Sequence, residues 1–260
     1  MMTTVAVIQA RSGSTRFPRK VLALLQGRPM LEHIIDRVSR AALVDRVVVA
    51  TTDSPADDDV AALALACGAG VTRGPEDDVL SRYLLAAREH DAAVIVRITA
   101  DCPLVDPAIV DLVIRARAGA QADYASNVAP PTYPDGYDVE VLTSECLRRI
   151  DRDAAVAYER EHVTVRVREH ADDFRTAHVG NDRDLSWMRL TVDVPADLDR
   201  IARVLAALPA TPPPGLPDVV AAYEGDVSLH EDGLPQRDER YHLQRDSAQR
   251  TAHAEESRPA

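Results

Sequence analysis

Short runs rich in β-branched residues alternate with longer helical patterns over most of this chain. That alternation narrows the fold to βαβ units on a largely parallel sheet. The strand candidates are 4–10, 46–51, 70–73, 93–99, 122–126, 137–143, 174–178 and 189–192. Between them, Pro29 opens a helix with Met30, Leu31, Ile34, Ile35 and Val38 on one face, and further helices are predicted over 56–67, 79–90, 107–118, 154–170 and 195–208. Val94, Ile95 and Val96 are apolar on consecutive positions, as a central strand covered on both faces requires. The expected architecture is a three-layer α/β/α, Rossmann-like fold with a mixed, mostly parallel sheet.

Two breaks interrupt the repeat. Residues 129–136 hold three prolines and an Asp-Gly turn signal ahead of the extended 138–141, which predicts an excursion beside the sheet over about 129–145. Five prolines at 209–217 precede one short helical patch, and from Asp226 the sequence is polar, so a folded domain of 1–225 followed by a flexible tail of 226–260 is expected. No apolar run approaches the ~18 residues of a membrane span, and the first residues lack the charged start and cleavage site of a leader, which predicts a cytoplasmic protein without membrane contact. Cys67, Cys102 and Cys146 lie far apart with no C-x-x-C pair, and read as buried small apolar residues. The single Trp187 reads as packing.

Charge supplies the next constraint. Thirty basic against 42 acidic residues give a net charge of -12, which argues against a protein that coats nucleic acid or an anionic membrane. Yet residues 1–31 carry Arg11, Arg16, Arg19, Lys20 and Arg28 and no acid, Glu32 being the first. Lys20 is also the only lysine, against 29 arginines. The segment Arg11-Ser-Gly-Ser-Thr-Arg-Phe-Pro-Arg-Lys20 follows the first strand, at the sheet edge where open α/β folds bind ligands. Gly13 lets backbone N–H groups approach a ligand, Ser12, Ser14 and Thr15 offer hydroxyls, and the cations suit a polyphosphate. It is neither a Walker A loop nor a G-x-G-x-x-G loop. A lone lysine suits a site that wants a compact ammonium rather than a planar fork. The alternative is a solvated basic turn paired with surface carboxylates.

Thr99-Ala-Asp101-Cys-Pro103 and Thr191-Val-Asp193-Val-Pro195 share the frame T-x-D-x-P, each after a predicted strand and before a helical segment. Such aspartates either ligate a cation such as Mg²⁺, which takes one or two carboxylates beside phosphate oxygens and water, or cap the helices that follow. Asp138 and Glu140 alternate onto one side of a strand, and Glu159, Arg160, Glu161 and His162 open a helix. These can bind sugar hydroxyls or an amino group, or form an ordinary acidic helix start.

The stretch Val7-Ile-Gln-Ala-Arg-Ser-Gly-Ser-Thr-Arg-Phe-Pro-Arg-Lys-Val-Leu22 resembles the opening signature of the cytidylyltransferases that activate acylneuraminate and 3-deoxy-manno-octulosonate, in their spore-coat polysaccharide branch. The resemblance continues through Ala50-Thr-Thr-Asp53, Gly74-Pro-Glu-Asp-Asp-Val-Leu80 with Arg82 and Tyr83, Arg97-Ile-Thr-Ala-Asp-Cys-Pro-Leu104, Tyr133-Pro-Asp-Gly-Tyr-Asp-Val-Glu140, Glu159-Arg-Glu-His-Val-Thr164 and Thr191-Val-Asp-Val-Pro195. It implies a nucleotide-diphospho-sugar transferase type of fold whose excursion helps form a homodimer. It also implies an Mg²⁺-dependent transfer of CMP from CTP to a sugar or sugar acid, with pyrophosphate released, in glycan precursor synthesis. Catalytic roles then fall to Arg11, Lys20 and Asp101, and nucleotide binding to Ala10, Arg11, Ser12, Gly13, Ser14, Arg16 and Lys20, with Arg73 and Arg97 near the base. Metal ligation falls to Asp101 and Asp193, and acceptor binding to Asp138, Glu140, Glu161 and His162. Arg19 departs from the pattern, which has a small residue there, usually Gly. Rival readings keep the fold with UTP or GTP, or with a phosphonate or other small acid as acceptor, or make the chain a non-catalytic nucleotide-binding regulator.

Overall fold

A computed structural model describes residues 2–209 and 214–230. In chain order the strands and helices are β1 Thr4–Gln9, β2 Leu24–Leu25, β3 Arg28–Pro29, α1 Met30–Val38, β4 Arg46–Thr52, α2 Asp58–Ala66, β5 Gly70–Gly74, α3 Val79–Glu89, β6 Val94–Thr99, α4 Pro107–Gly119, β7 Tyr124–Ser126, β8 Glu140–Thr143, α5 Ser144–Asp153, α6 Ala157–His162, α7 Val165–Glu169, β9 Thr176–His178, α8 Pro195–Ala207 and α9 Leu216–Glu224. Seven strands form one sheet in the order β5-β4-β1-β6-β8-β7-β9, and only β8 runs against the others, pairing antiparallel with β6 and β7. The two-residue β2 and β3 form a separate hairpin.

Strand alternation sorts the core into two layers. Ala6, Ile8, Val49, Val96 and Ile98 face α1, α2, α4, α8 and α9, whereas Val5, Val7, Val48, Ala50 and Ile95 face α3, α5 and the segment through Val163 and Val167. The three-layer expectation therefore holds. β1 and β6 lie side by side, yet the chain leaves β1 toward β4 and leaves β6 toward the β8 side, so their loops splay apart and open a crevice at their C-terminal ends.

Several boundaries differ from expectation. Residues 189–192 form no strand; they run along the sheet edge, with Leu190 N–H donating to the Asp135 carbonyl at 2.7 Å and Val192 N–H to the Asp101 carbonyl at 2.9 Å. Gly136 permits that approach: it sits at φ +112°, and a side chain there would meet the Leu190 carbonyl at 2.7 Å. The helix expected over 154–170 is two short helices broken at Val163, which adopts φ +53°. Helix α5 was not expected, because Cys146, Leu147 and Ile150 are its only buried residues; the Thr143 hydroxyl caps it by accepting the Cys146 N–H at 3.0 Å. Of the excursion, 140–143 belongs to the sheet and 144–145 to α5, so only the 127–139 connection leaves it. Asn127 ties that connection across its base, donating to the Tyr137 carbonyl at 2.8 Å and accepting the Val139 N–H at 2.9 Å.

The first residues of the expected tail, 226–230, lie against α8 and α9. Leu229 is buried, Asp226 pairs with Arg203 at 2.6 Å, and His230 stacks on Tyr223 with ring centroids 5.3 Å apart; the rest of the expected tail, 231–260, lies outside the described residues. Trp187 packs edge-on against Tyr223 and His230 while staying half exposed. Cys102 and Cys146 are buried, but Cys67 is only partly so. Among the described residues no helix is long and apolar enough to cross a membrane.

Candidate active site

The cationic loop leaves β1 at the crevice. Ala10 prolongs the ladder, its N–H donating to the Ala50 carbonyl at 3.1 Å, and the buried Ser12 then closes the loop on itself: its carbonyl accepts the Ser14 N–H at 2.9 Å and the Arg19 N–H at 3.0 Å. Arg19 sits at φ +58° and ψ 25°, the left-handed region, which explains why a glycine suits this position. A non-glycine residue there costs about 1–2 kcal/mol. Its guanidinium pairs with Asp59 at 2.6 Å, but both side chains are more than half exposed and the pair contributes little. Arg19→Gly is therefore expected to raise unfolding stability by about 1 kcal/mol, checked by chemical denaturation.

Every cation of the loop holds a carboxylate. Arg11 meets Glu76 at 3.2 Å, Arg16 meets Asp193 at 3.0 Å, and Lys20 donates to the Val192 carbonyl at 2.8 Å and to Asp193 at 3.2 Å. Glu76 Oε1 also lies 3.0 Å from where a Gly13 side chain would begin, so this carboxylate covers the glycine face of the loop. Exposed pairs of this kind contribute about 0–1 kcal/mol each, so exchanging them for another anion costs little. The Lys20–Asp193 contact is more enclosed, with side chains 16% and 20% exposed.

Asp101 and Asp193 are brought together by the bond from Val192 N–H to the Asp101 carbonyl. Neither is a helix cap. Asp106 caps α4, accepting the Ala108 N–H at 2.8 Å, and Asp197 serves the start of α8, accepting the N–H groups of Asp193 at 2.7 Å and Val194 at 3.0 Å. Burial works against the charged form of Asp193, but the Lys20 and Arg16 cations outweigh it and hold its carboxyl below the usual range. The Cys102 thiol lies 3.4 Å from Asp101 Oδ1, and burial beside that carboxylate keeps the thiol protonated. Two carboxylates next to a cationic loop fit the donor set Mg²⁺ takes, in which phosphate oxygens and water complete the octahedron.

Other expected site residues are placed differently. Arg73 donates to the Thr52 carbonyl at 2.8 Å, to the Ser54 carbonyl at 2.8 Å and to Asp58 at 2.7 Å, so its guanidinium braces the turn after β4. Arg97 and Glu140 are partners in the β6–β8 register and form a buried ion pair. Glu140, 2% exposed, also accepts from the Tyr124 hydroxyl at 2.5 Å, the Thr164 hydroxyl at 2.6 Å and Arg168 at 3.4 Å. Burial alone would raise its pKa, but Arg97 and Arg168 bring it down to about 2. This glutamate is an internal anchor, its carboxylate taken up by Arg97, Tyr124, Thr164 and Arg168. His162 lies near this cluster, and burial lowers its pKa, so the ring is neutral at pH 7. Glu161 is exposed, and Asp138 is half-buried at the end of the 127–139 connection.

Sequence reasoning missed Asp197 and Arg82. Asp197 is fully buried and paired with Arg189 at 2.9 Å and Arg200 at 2.5 Å, and Arg189 also reaches Asp193 at 3.5 Å. The signal was the aspartate three positions into a helix opened by proline, a capping pattern. Buried Arg82 donates to the Pro75 carbonyl at 2.5 Å and the Glu76 carbonyl at 2.8 Å, shaping the turn that carries Glu76 over the loop. Its place in the motif was visible, but its carbonyl partners were not.

The family model described as Cytidylyltransferase matches residues 5–226. The spore coat polysaccharide biosynthesis protein SpsF of Bacillus subtilis is 34% identical over 202 residues, covering 75% of this chain and 83% of its own. A 3-deoxy-manno-octulosonate cytidylyltransferase of Pelobacter propionicus is 38% identical over 114 residues, 44% of each chain. The solved structure of a cytidylyltransferase from Leptospira borgpetersenii superposes with a TM-score of 0.86 at 30% identity, covering 91% of this chain and all of the other.

Proposed function

We propose, because this chain belongs to the cytidylyltransferase family, that it transfers CMP from CTP to a hydroxyl of a sugar or sugar acid and releases pyrophosphate, in the synthesis of a glycan precursor. The observation that carries this reading is the convergence of the loop cations Arg16 and Lys20 on Asp193, which the Val192–Asp101 main-chain bond sets beside Asp101 at the β1–β6 crevice. The acceptor oxygen attacks the α-phosphorus, the bond to the bridging oxygen breaks, and that oxygen leaves with the pyrophosphate. Arg11, Arg16 and Lys20 hold the β- and γ-phosphates and neutralise charge on the leaving group, while Ala10, Ser12, Gly13 and Ser14 line the cradle. Asp101 and Asp193 hold Mg²⁺, which supplies charge neutralisation at the phosphates when bound. Binding requires Lys20 and Arg16 to turn from Asp193 to the phosphates. Asp138 and His162 border the acceptor, His162 as a neutral ring able to donate or accept one hydrogen bond. The family resemblance extends the reading to a cytoplasmic homodimer.

Pyrophosphate release from each of the four nucleoside triphosphates, over a panel of sugars and sugar acids with Mg²⁺, tests the reaction. CTP-dependent release with at least one acceptor is expected. Release with UTP or GTP alone removes the cytidyl assignment, and no release with any pair removes the transferase reading. Lys20→Ala is expected to raise the nucleotide KM or lower turnover by at least ~10-fold, the loss of one charge-assisted contact, and wild-type kinetics would refute its role.

A further inference from the structure

Beneath the cationic loop lies a carboxylate to which the reaction above assigns nothing. Asp57 is 2% exposed and ends the short 3-10 turn Pro55–Asp57 that leads into α2. Its Oδ1 accepts the Ser12 N–H at 2.6 Å. Its Oδ2 accepts the Thr52 hydroxyl at 2.5 Å and the Thr52 N–H at 3.3 Å. The residue it grips is the one that closes the loop, since the Ser12 carbonyl takes the N–H groups of Ser14 and Arg19. Thr52 is held from the other side by Arg73, which donates to the Thr52 carbonyl and, two residues on, to the Ser54 carbonyl. Asp57 thus ties the end of β1 to the end of β4 at the point where the loop begins.

A buried anion under an anion-binding loop repels the charge the loop must bind. Only a geometric gain offsets that. Charge-assisted bonds from a carboxylate to backbone N–H groups are about twice as strong as neutral ones, and they fix the direction in which the next residues leave the strand. Burial disfavours the charged carboxylate, but the Thr52 and Ser12 donors outweigh it, so the group stays ionised at neutral pH.

We propose that Asp57 is a positioning residue for nucleotide binding: through Ser12 it sets the conformation in which Arg11, Gly13 and the rest of the loop meet the triphosphate. This rests on the reading that the loop holds a triphosphate. Asp57→Asn preserves shape but places an NH₂ against either the Ser12 N–H or the Thr52 donors. Thr52→Val removes one bond to the same carboxylate and leaves the loop sequence intact.

The test compares both variants with wild type in the full chain, by calorimetric CTP binding and by steady-state kinetics. Asp57→Asn is expected to raise the nucleotide Kd and KM by ~10-fold or more, with kcat and the acceptor KM within about two-fold of wild type. Thr52→Val is expected to move the nucleotide KM the same way by about three-fold. A folded Asp57→Asn protein with wild-type nucleotide affinity overturns the proposal, as does a loss of active protein that leaves both KM values alone. Should Asp57→Asn fail to fold, an unchanged nucleotide KM in Thr52→Val overturns it. If wild type binds a different triphosphate, the cytidyl reading fails while the variant-to-wild-type ratio for that nucleotide still decides Asp57. If wild type binds none, both fall.

Discussion

Asp193→Asn is expected to lower kcat/KM by roughly 10²-fold or more at saturating Mg²⁺, because it removes one of two carboxylates proposed to share the metal and its charge. The half-saturating Mg²⁺ concentration should rise in parallel. The structure adds a second, opposite expectation. Asp193 is also the group on which Arg16 and Lys20 rest, at 3.0 and 3.2 Å. Removing its charge releases Arg16, leaves Lys20 on the Val192 carbonyl alone, and takes one negative charge away from the phosphates. Metal-free CTP affinity should therefore improve by a few-fold, about 1 kcal/mol, while metal-supported turnover collapses. Calorimetric titration of CTP into wild type and variant, each in chelator and again in Mg²⁺, separates the two effects. Metal-free affinity weaker than wild type would show that Asp193 does not restrain the loop cations, and an unchanged Mg²⁺ titration would show that it is no ligand.

Glu140→Leu is expected to destabilise the protein by about 3–5 kcal/mol at pH 7, since it leaves the Arg97 guanidinium buried without its partner. The Tyr124 and Thr164 hydroxyls lose their acceptor at the same time. The melting temperature should fall on the order of 10 °C. The pH dependence is specific. The carboxyl has a pKa of about 2 in the folded chain against 4.5 ordinarily. Its contribution is therefore complete above pH 4.5 and is lost as the pH falls through about 2. The stability difference between wild type and Glu140→Leu should accordingly shrink across that window, as read by urea denaturation at a series of pH values. Arg97→Leu combined with Glu140→Leu should recover part of the loss, because the uncompensated charge is then gone. A single variant as stable as wild type would remove Glu140 from its place as the anchor of β6 and β8.

The two variants mark what was legible in the chain. The loop and its lysine could be found from local charge alone, because an acid-free stretch after a strand needs no partner to be recognised. The role of Glu140 could not. Asp138 and Glu140 alternate as ligands on an exposed strand face would, yet β8 lies between β6 and β7, and Glu140 faces Arg97 across a ladder that joins residues 43 apart. Arg73 shows the same limit, since two of its three acceptors are main-chain carbonyls that carry no residue signature. Helix α5 was missed because only three of its ten residues, Cys146, Leu147 and Ile150, are apolar, although they fall on one face at helical spacing. The supposed strand at 189–192 alternates for another reason: Leu190 and Val192 are buried in the core, and the Val192 N–H ties the segment to Asp101.

By itself the sequence determined the layered α/β architecture and the place of the cationic loop at the C-terminal edge of β1. These follow from residue periodicity and from charges close together in the chain, both local properties. The tertiary structure decided which charges are available to a ligand and which are already paired. Arg97 and Arg73 are as basic as Arg11 and Arg16, but the first pair is committed to Glu140 and to a turn, while the second holds only exposed carboxylate contacts on the loop after β1. That division depends on burial and on distances between residues remote in the chain, and neither exists until the sheet has formed.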